Sequence, residues 1–419
     1  MLPTATDNGG RLAAILPTGI AALALGNARS PQAAHDALIA AAGLAPGLPA
    51  GPNEVAAALP LIPALHSLVV VVVDGLGSAN LKARAGHAPT VSSLQQRRIT
   101  TVTPSTTAAA LTTLTTGRLP AEHGLIGYRI MHPELGLLSP LRDWEGISDT
   151  REWQRAAPLF EHAEALGLRA RAYGRPAHAE SGLTRAILRG ADYSGGDRIA
   201  ERFAAARRDL AGGEPTLAYL YVDELDRAGH QHGWQSEAWS SRLEQLDLAL
   251  ADFMTGLPSE TGLVVTADHG MVDVAAHQHI VFDLGAPEFA EVRAFGGEPR
   301  FRSFYLTPEA DPRAFAERLR ALEGRRAWVA TRDEVFAAGL FGTRVSPGVR
   351  ERVGDVLLAA RSQCAYYATS DEQSSFELVG QHGSWTDEER GIPLLLGGAL
   401  AGTGFAKAVE LVAAAATAS

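Results

Sequence analysis

LVVVVVDGLG, residues 68–77, runs six consecutive aliphatic side chains straight into an acid and a glycine. Such a run has no polar face to turn toward water, so 68–73 reads as a strand buried on both sides. Further strands are expected at 169–173, 216–222, 263–267 and 392–396, with helical patterns between them. This alternation predicts an α/β fold, a mostly parallel central sheet with helices on both faces. Asp74 ends the first strand, and other potential ligands stand where later strands give way to loops or helices. They are Asp226 and His230 in YVDELDRAGH, Asp268 and His269 in LVVTADHGM, and His382 in GQHGSWT. Three carboxylates and three imidazoles brought to one sheet edge suit two divalent cations.

Size and composition narrow the alternatives. A chain of 419 residues exceeds one minimal core and predicts a large domain with a smaller one inserted. The single cysteine, Cys364, excludes an internal disulfide and a zinc–thiolate site. A net charge of -10, with no Lys/Arg block among aromatics, argues against a nucleic-acid-binding surface. The N-terminus lacks a basic leader region, and Asp7, Gly9, Gly10 and Pro17 interrupt its apolar run. No stretch is expected to reach the ~18–20 apolar residues of a membrane span. The resulting expectation is a cytoplasmic protein without membrane attachment.

The organisation is read as three parts. Residues 1–65 form Ala- and Pro-rich helices packed on the outside, such as PQAAHDALIAAA, stopped by Gly43. Residues 66–282 and 361–419 form the main core, and 283–360 a small α+β insertion that caps the site. Within the insertion, GGEPRFRSFYLTP reads as a glycine turn and a strand, followed by a helix (PRAFAERLRALEG), a strand (RAWVATR) and a helix (DEVFAAGLF). PLFEHAEALG reads as helix. Ser241 and Glu244 give a capping-box pattern for a helix whose Leu243, Leu246, Leu250, Phe253 and Leu257 share one face. Residues 409–419 read as a frayed helix end.

Each candidate has a bland reading too. An acid ending a strand commonly caps the next helix. The GxG after it is not a dinucleotide fingerprint, because Asn80 stands at its third glycine position and Asp74 would repel a pyrophosphate. Asp226 and His230 are spaced i, i+4, so one helical turn points both at a shared ion, whereas His232 points elsewhere. Asp268 and His269 converge only in a non-helical turn, which Gly270 permits. In TPSTTAAALTTLTTG, residues 103–117, a helix begins after Pro104 and puts Ser105, Thr106 and Thr107 near its N-terminus. Free N–H groups there favour an anion, although capping is the commoner role of a hydroxyl. Trp234, Trp239, Tyr128 and Trp385 are near the motifs, where packing is the simpler role for each.

The ordered set VVDGLG, PSTTAAALTTLTTGRLPAEHGLIGY, DELDRAGHQHG, TADHGM and GQHGSWT resembles the type I phosphodiesterase/nucleotide pyrophosphatase family of the alkaline phosphatase superfamily, from about residue 68 to 396. The resemblance implies an alkaline-phosphatase-like fold and two zinc ions. One would be held by Asp74, Thr107, Asp268 and His269, the other by Asp226, His230 and His382. Thr107 is the implied nucleophile, since the family's stands ten residues before the glycine matched by Gly117. The implied activity is hydrolysis of a small-molecule phosphodiester or nucleotide pyrophosphate through a phosphothreonine. Two positions depart from expectation: Ala110 replaces an asparagine that holds a phosphoryl oxygen, and Ala108 stands where superfamily phosphomonoesterases carry arginine. A phosphonate hydrolase, a phosphomonoesterase or phosphomutase, and a non-catalytic metal-binding scaffold are the competing readings.

Overall fold

The structure, a computed structural model, describes residues 2, 7–28, 30–44 and 54–418. The aliphatic run forms β1 (Ser67–Val73), buried at every position. Around it lie β2 (Gln95–Thr100), β3 (Arg169–Gly174), β4 (Asp192–Gly195), β5 (Thr216–Val222) and β6 (Thr261–Thr266). A four-stranded sheet follows, of β7 (Val292–Glu298), β8 (Phe301–Leu306), β9 (Ala327–Thr331) and β10 (Val356–Ala360). The chain then returns to the central sheet as β11 (Gly391–Gly398). The seven central strands lie in the order β2-β11-β6-β1-β5-β3-β4. Only β11 runs against its neighbours, so the sheet is mostly parallel as expected. In the middle, Val72 is in register with Tyr221 of β5 and Thr266 of β6. The carboxyl ends of β1, β5 and β6 therefore lie side by side, and Asp74, Asp226 and Asp268 follow within a few residues of them. In open α/β sheets this edge is where ligands bind.

Several local readings are corrected. Helix α1 (Gly10–Ala28) continues through Pro17 and buries nearly every residue from Leu12 to Ala24. It packs against α2 (Pro31–Ala42) and the C-terminal helix Phe405–Ala418, and its side chains join the main apolar cluster. By length and hydropathy α1 alone among the described helices matches a membrane span, against expectation, and 72% of that window is buried in the fold. The final segment is no frayed end: Val409 and Val412 are in the main core. Residues 159–166 make two short 3-10 turns where a helix is expected. The helix expected to begin near Ser241 starts a turn earlier, at Glu237, where the Ser236 side chain accepts from the Trp239 N–H. Gly296, Gly297 and Glu298 belong to β7 itself, and the turn falls at Pro299 and Arg300. Helix α2 ends as expected, with Gly43 in the left-handed conformation.

The four-stranded sheet has its own apolar cluster, built from Phe295, Phe304, Phe315 and Leu358 and extending to Phe282 and Tyr366. Its β7–β8 hairpin is joined to the main core by a buried ion pair. Arg300 Nε and Nη2 each donate to Glu389 at 2.7 Å, and the Arg300 Nη1 donates to the Ser362 and Cys364 carbonyls. Glu389 also accepts from the Ser384 N–H at 3.0 Å, and its own carbonyl accepts from the Gly270 N–H at 2.8 Å. Glu389, through its carboxylate and its carbonyl, thus ties the hairpin to the loops that carry His382 and His269. Removing one member of a buried pair leaves the other charged and desolvated, at a cost of about 3–5 kcal/mol. Arg300→Met is expected to lower unfolding stability by that amount in urea denaturation, and Arg300→Met with Glu389→Gln by less. A single-variant cost below ~1 kcal/mol would show that the pair is not a clamp.

Candidate active site

All six ligand candidates and Thr107 converge at this edge. Asp74 directly follows β1, and its N–H donates to the Val222 carbonyl of β5 at 2.9 Å. Gly75 adopts φ +74 and carries no Cβ, which lets the Asp226 backbone come within 3.2 Å of where one would stand. Asp226 and His230 lie on one face of the helix Glu224–His232, with Asp226 Oδ2 and His230 Nε2 3.4 Å apart. Asp268 is held by N–H groups of Gly75 and His269, at 3.1 and 2.9 Å, both to its Oδ1. Gly270 then passes so close to Gly77 and Glu388 that a side chain would not fit. His382 is brought in by a short ladder, Gly380–Gln381 against Val272–Asp273, and by an isolated bridge between Ser105 and Gly383.

Thr107 is the first residue of the helix Thr107–Thr116, with Thr106 at the cap position and no capping side-chain bond. Its Oγ1 lies 3.2 Å from His269 Nε2. Ser105 serves a different purpose, donating to the Ser384 carbonyl at 2.9 Å and accepting from the Gly383 N–H at 3.2 Å. His232 is exposed and outside the cluster. Trp239 and Trp385 are buried, Trp234 packs edge-on against Trp239, and Tyr128 is half-buried.

The three imidazoles share one proton arrangement. His230 Nδ1 lies 2.7 Å from the Gly380 carbonyl, His382 Nδ1 2.9 Å from Ser105 O, and His269 Nδ1 3.2 Å from Gly270 O. A carbonyl only accepts, so each Nδ1 carries a hydrogen and each ring turns its Nε2 inward. His269 Nε2 then faces Asp74 Oδ1 at 3.3 Å and Asp268 Oδ2 at 3.4 Å. Those two oxygens and Asp226 Oδ1 are buried without a hydrogen-bond partner. A cation or a shared proton between such acceptors relieves their repulsion.

Charge in the cluster is correspondingly strained. Burial first, then the carboxylates of Asp268 and Asp226, hold Asp74 well above the usual carboxylate range. Burial also raises Asp226, partly opposed by His230 and His269. Burial, with His269 and His230 nearby, pushes His382 well below its ordinary value, and its ring stacks on His269 at 3.6 Å. Ligand atoms of Asp226, His230 and His382 lie within 4.8 Å of one another, as do those of Asp74, Asp226 and His269. Asp226 belongs to both groups. The donor set, carboxylate oxygen with imidazole nitrogen, fits two divalent cations.

Sequence reasoning passed over Tyr221, whose hydroxyl donates to Asp74 Oδ2. Its signal is weak: a tyrosine on a buried strand two residues before an acid. Ala110 belongs to the main apolar core, so the expected asparagine position is filled by packing. A cavity of about 1290 Å³ opens beside His230 and is bordered by Arg175, Glu224 and Arg227.

The model of the family described as type I phosphodiesterase/nucleotide pyrophosphatase matches residues 68–385, which include every residue of this cluster. The chain belongs to that family. Ectonucleotide pyrophosphatase/phosphodiesterase family member 1 of Homo sapiens is 24% identical over 240 residues, 54% of this chain and 26% of the relative. A venom phosphodiesterase of Crotalus durissus collilineatus is 25% identical over 252 residues, 56% of this chain and 30% of the relative. The matched region thus spans under a third of either relative. Among solved structures, phosphonoacetate hydrolase from Sinorhizobium meliloti 1021 with phosphonoacetate aligns at TM-score 0.62 and 20% identity, covering 84% of this chain and 97% of that one. Murine ectonucleotide pyrophosphatase/phosphodiesterase 5, inactive and with AMP, aligns at 0.60 and 20%, covering 80% and 88%. These likenesses show the alkaline-phosphatase-like fold of this phosphodiesterase-family chain.

Neutralising the opposed lone pairs should stabilise the fold. Added divalent cation is expected to raise the melting temperature of chelator-treated protein, equivalent to about 2.7 kcal/mol at a hundredfold excess over Kd. Asp226→Asn should abolish most of that gain while raising the metal-free melting temperature. Scanning calorimetry with and without zinc checks both, and an Asp226→Asn protein that gains as much as the parent would remove Asp226 from the ligand set.

Proposed function

We propose that this chain hydrolyses phosphodiester or nucleotide pyrophosphate bonds of small molecules, with Thr107 as nucleophile and a phosphothreonine intermediate. One observation carries the reading: three inward Nε2 atoms and three unpartnered carboxylate oxygens gather at one sheet edge, where His269 Nε2 lies 3.2 Å from the Thr107 hydroxyl. Two divalent cations, zinc by their donor set, would be held by Asp74, Asp268, His269 and Thr107 and by Asp226, His230 and His382, and supply Lewis-acid charge to the attacking and leaving oxygens.

The chain's own residues do the rest. Thr107 loses its proton and its oxygen attacks phosphorus, in line with the departing alkoxide or phosphate. Water then attacks the phosphothreonine, releasing the phosphorylated product and restoring the hydroxyl. The first N–H groups of the helix Thr107–Thr116 have no intrahelical partner and no capping side chain, which supports their use as donors to a phosphoryl oxygen in place of the asparagine absent at Ala110. With Ala108 beside the nucleophile, a dianionic monoester lacks a charged partner, which supports a monoanionic diester or pyrophosphate instead. The cavity beside His230 leaves room for the departing group.

Bis-p-nitrophenyl phosphate, p-nitrophenyl phosphate, a nucleoside-monophosphate p-nitrophenyl ester and phosphonoacetate form the test panel. The diesters are expected to be preferred, with loss of turnover in chelator and restoration by zinc. Thr107→Ala should lower kcat/KM on the order of 10⁴-fold. Preference for the monoester or the phosphonate rejects the bond assignment, and activity that survives both chelator and Thr107→Ala rejects the mechanism.

A further inference from the structure

The β7–β8 hairpin brings a second buried charge to the catalytic edge besides Arg300. Glu298, the last residue of β7, is 5% exposed and is absent from the family-derived ligand set. Its carboxyl fills the space where a side chain at Gly383 would stand: a Cβ built there falls 2.5 Å from Glu298 Cδ and 2.8 Å from its Oε1. The Thr106 hydroxyl donates to the same carboxyl, and Oε1 is buried without a partner. Glu298 is therefore wedged between two segments that hold the site. Thr106 caps the helix that begins at Thr107, and Gly383 follows His382 and bridges to Ser105. Beside the Ser105 bonds to Gly383, Ser384 and His382, Glu298 is a second contact between these two segments.

We propose that Glu298 is a positioning residue for the reaction proposed above, a wedge that sets the first turn of the nucleophile's helix against the His382 loop. Among the described residues no hydrogen bond or ion pair joins it to Thr107 or to a ligand, so its action runs through Thr106 and Gly383. The groups facing it are Arg302 from the paired strand and Glu389 from the turn 387–390. Glu389 is already bound to Arg300, and Arg302 donates to Asp371 and the Tyr366 carbonyl. Neither neutralises Glu298. Burial, reinforced by Glu389, pushes its carboxyl up to about 8, against the Thr106 bond and Arg302. Below that pH the wedge is neutral, accepts from Thr106 and adds no charge to an edge with three carboxylates. Above it, a fourth negative charge appears in the wedge, strengthening the bond from Thr106 and repelling an anionic substrate.

Glu298→Gln keeps the shape without the titration, and Glu298→Ala removes the wedge. In the full-length, metal-loaded protein, the parent's kcat/KM should fall with a midpoint near pH 8, and this component should be missing in Glu298→Gln. Glu298→Ala should lose on the order of 10–100-fold in kcat, as expected for misplacing a nucleophile, with metal content unchanged. Amide hydrogen exchange of residues 104–111 supplies a readout independent of turnover. Protection in the parent should rise between pH 7 and 9, after correction for intrinsic rates, and stay constant in Glu298→Gln. Superimposable pH profiles of parent and Glu298→Gln, or equal exchange of 104–111 in both, overturn the proposal. If the parent cleaves no phosphorus ester but shows the pH-linked exchange, Glu298 keeps its positioning role and the proposed reaction is what fails.

Discussion

Three carboxylates share one buried edge of the sheet, and three imidazoles turn their Nε2 atoms toward them. Burial penalises each charge, and proximity penalises them jointly, so Asp74 and Asp226 are pushed toward neutrality. No apolar packing force would assemble such a cluster. It is held by surrounding elements that are individually stable: the three central strands β1, β5 and β6, carbonyls that lock each imidazole, and the Arg300–Glu389 pair behind two of the loops. The strain is local, and a positive charge bound there would relieve it.

The four-stranded sheet takes part in this bracing. Its β7–β8 hairpin sends Arg300 to Glu389 and Glu298 to Gly383, so both buried charges at its tip reach the segment 382–390. That segment carries His382 and the Ser384 N–H and carbonyl that engage Glu389 and Ser105. A hairpin inserted between β6 and β11 thereby supports a loop that the central sheet leaves free. Arg302 continues the pattern one layer away, donating to Asp371 and stacking over Phe295.

Much of this was readable in the chain. Residues 68–73 announce a buried strand because six aliphatic side chains leave no face for water, and the register of acids and histidines after successive strands follows from the rule that ligands gather at carboxyl ends. The i, i+4 spacing of Asp226 and His230 is a helix-face statement that needs no tertiary information. Misreadings came where local signals compete. Ser241 and Glu244 match a cap, but Ser236 has the free N–H groups to satisfy. GGE reads as a turn, yet the backbone of Gly297 is held in β7, where its N–H donates to the Arg129 carbonyl at 2.9 Å. Pro17 reads as an interruption of the N-terminal run, yet α1 continues through it.

By itself the sequence determined five of the seven central strands, the family, and the identity of the residues that face one another at the sheet edge, because each rests on short-range periodicity or on motifs of fixed spacing. Only the tertiary structure decided which oxygens are unpartnered, which imidazole nitrogen turns inward, and that Asp226 lies between both ligand groups. It also decided the roles of Tyr221, Glu298, Arg300 and Glu389. Tyr221 meets Asp74 across 147 residues and Arg300 meets Glu389 across 89. Burial and hydrogen-bond satisfaction belong to such long-range neighbours, and no local pattern of residues carries them.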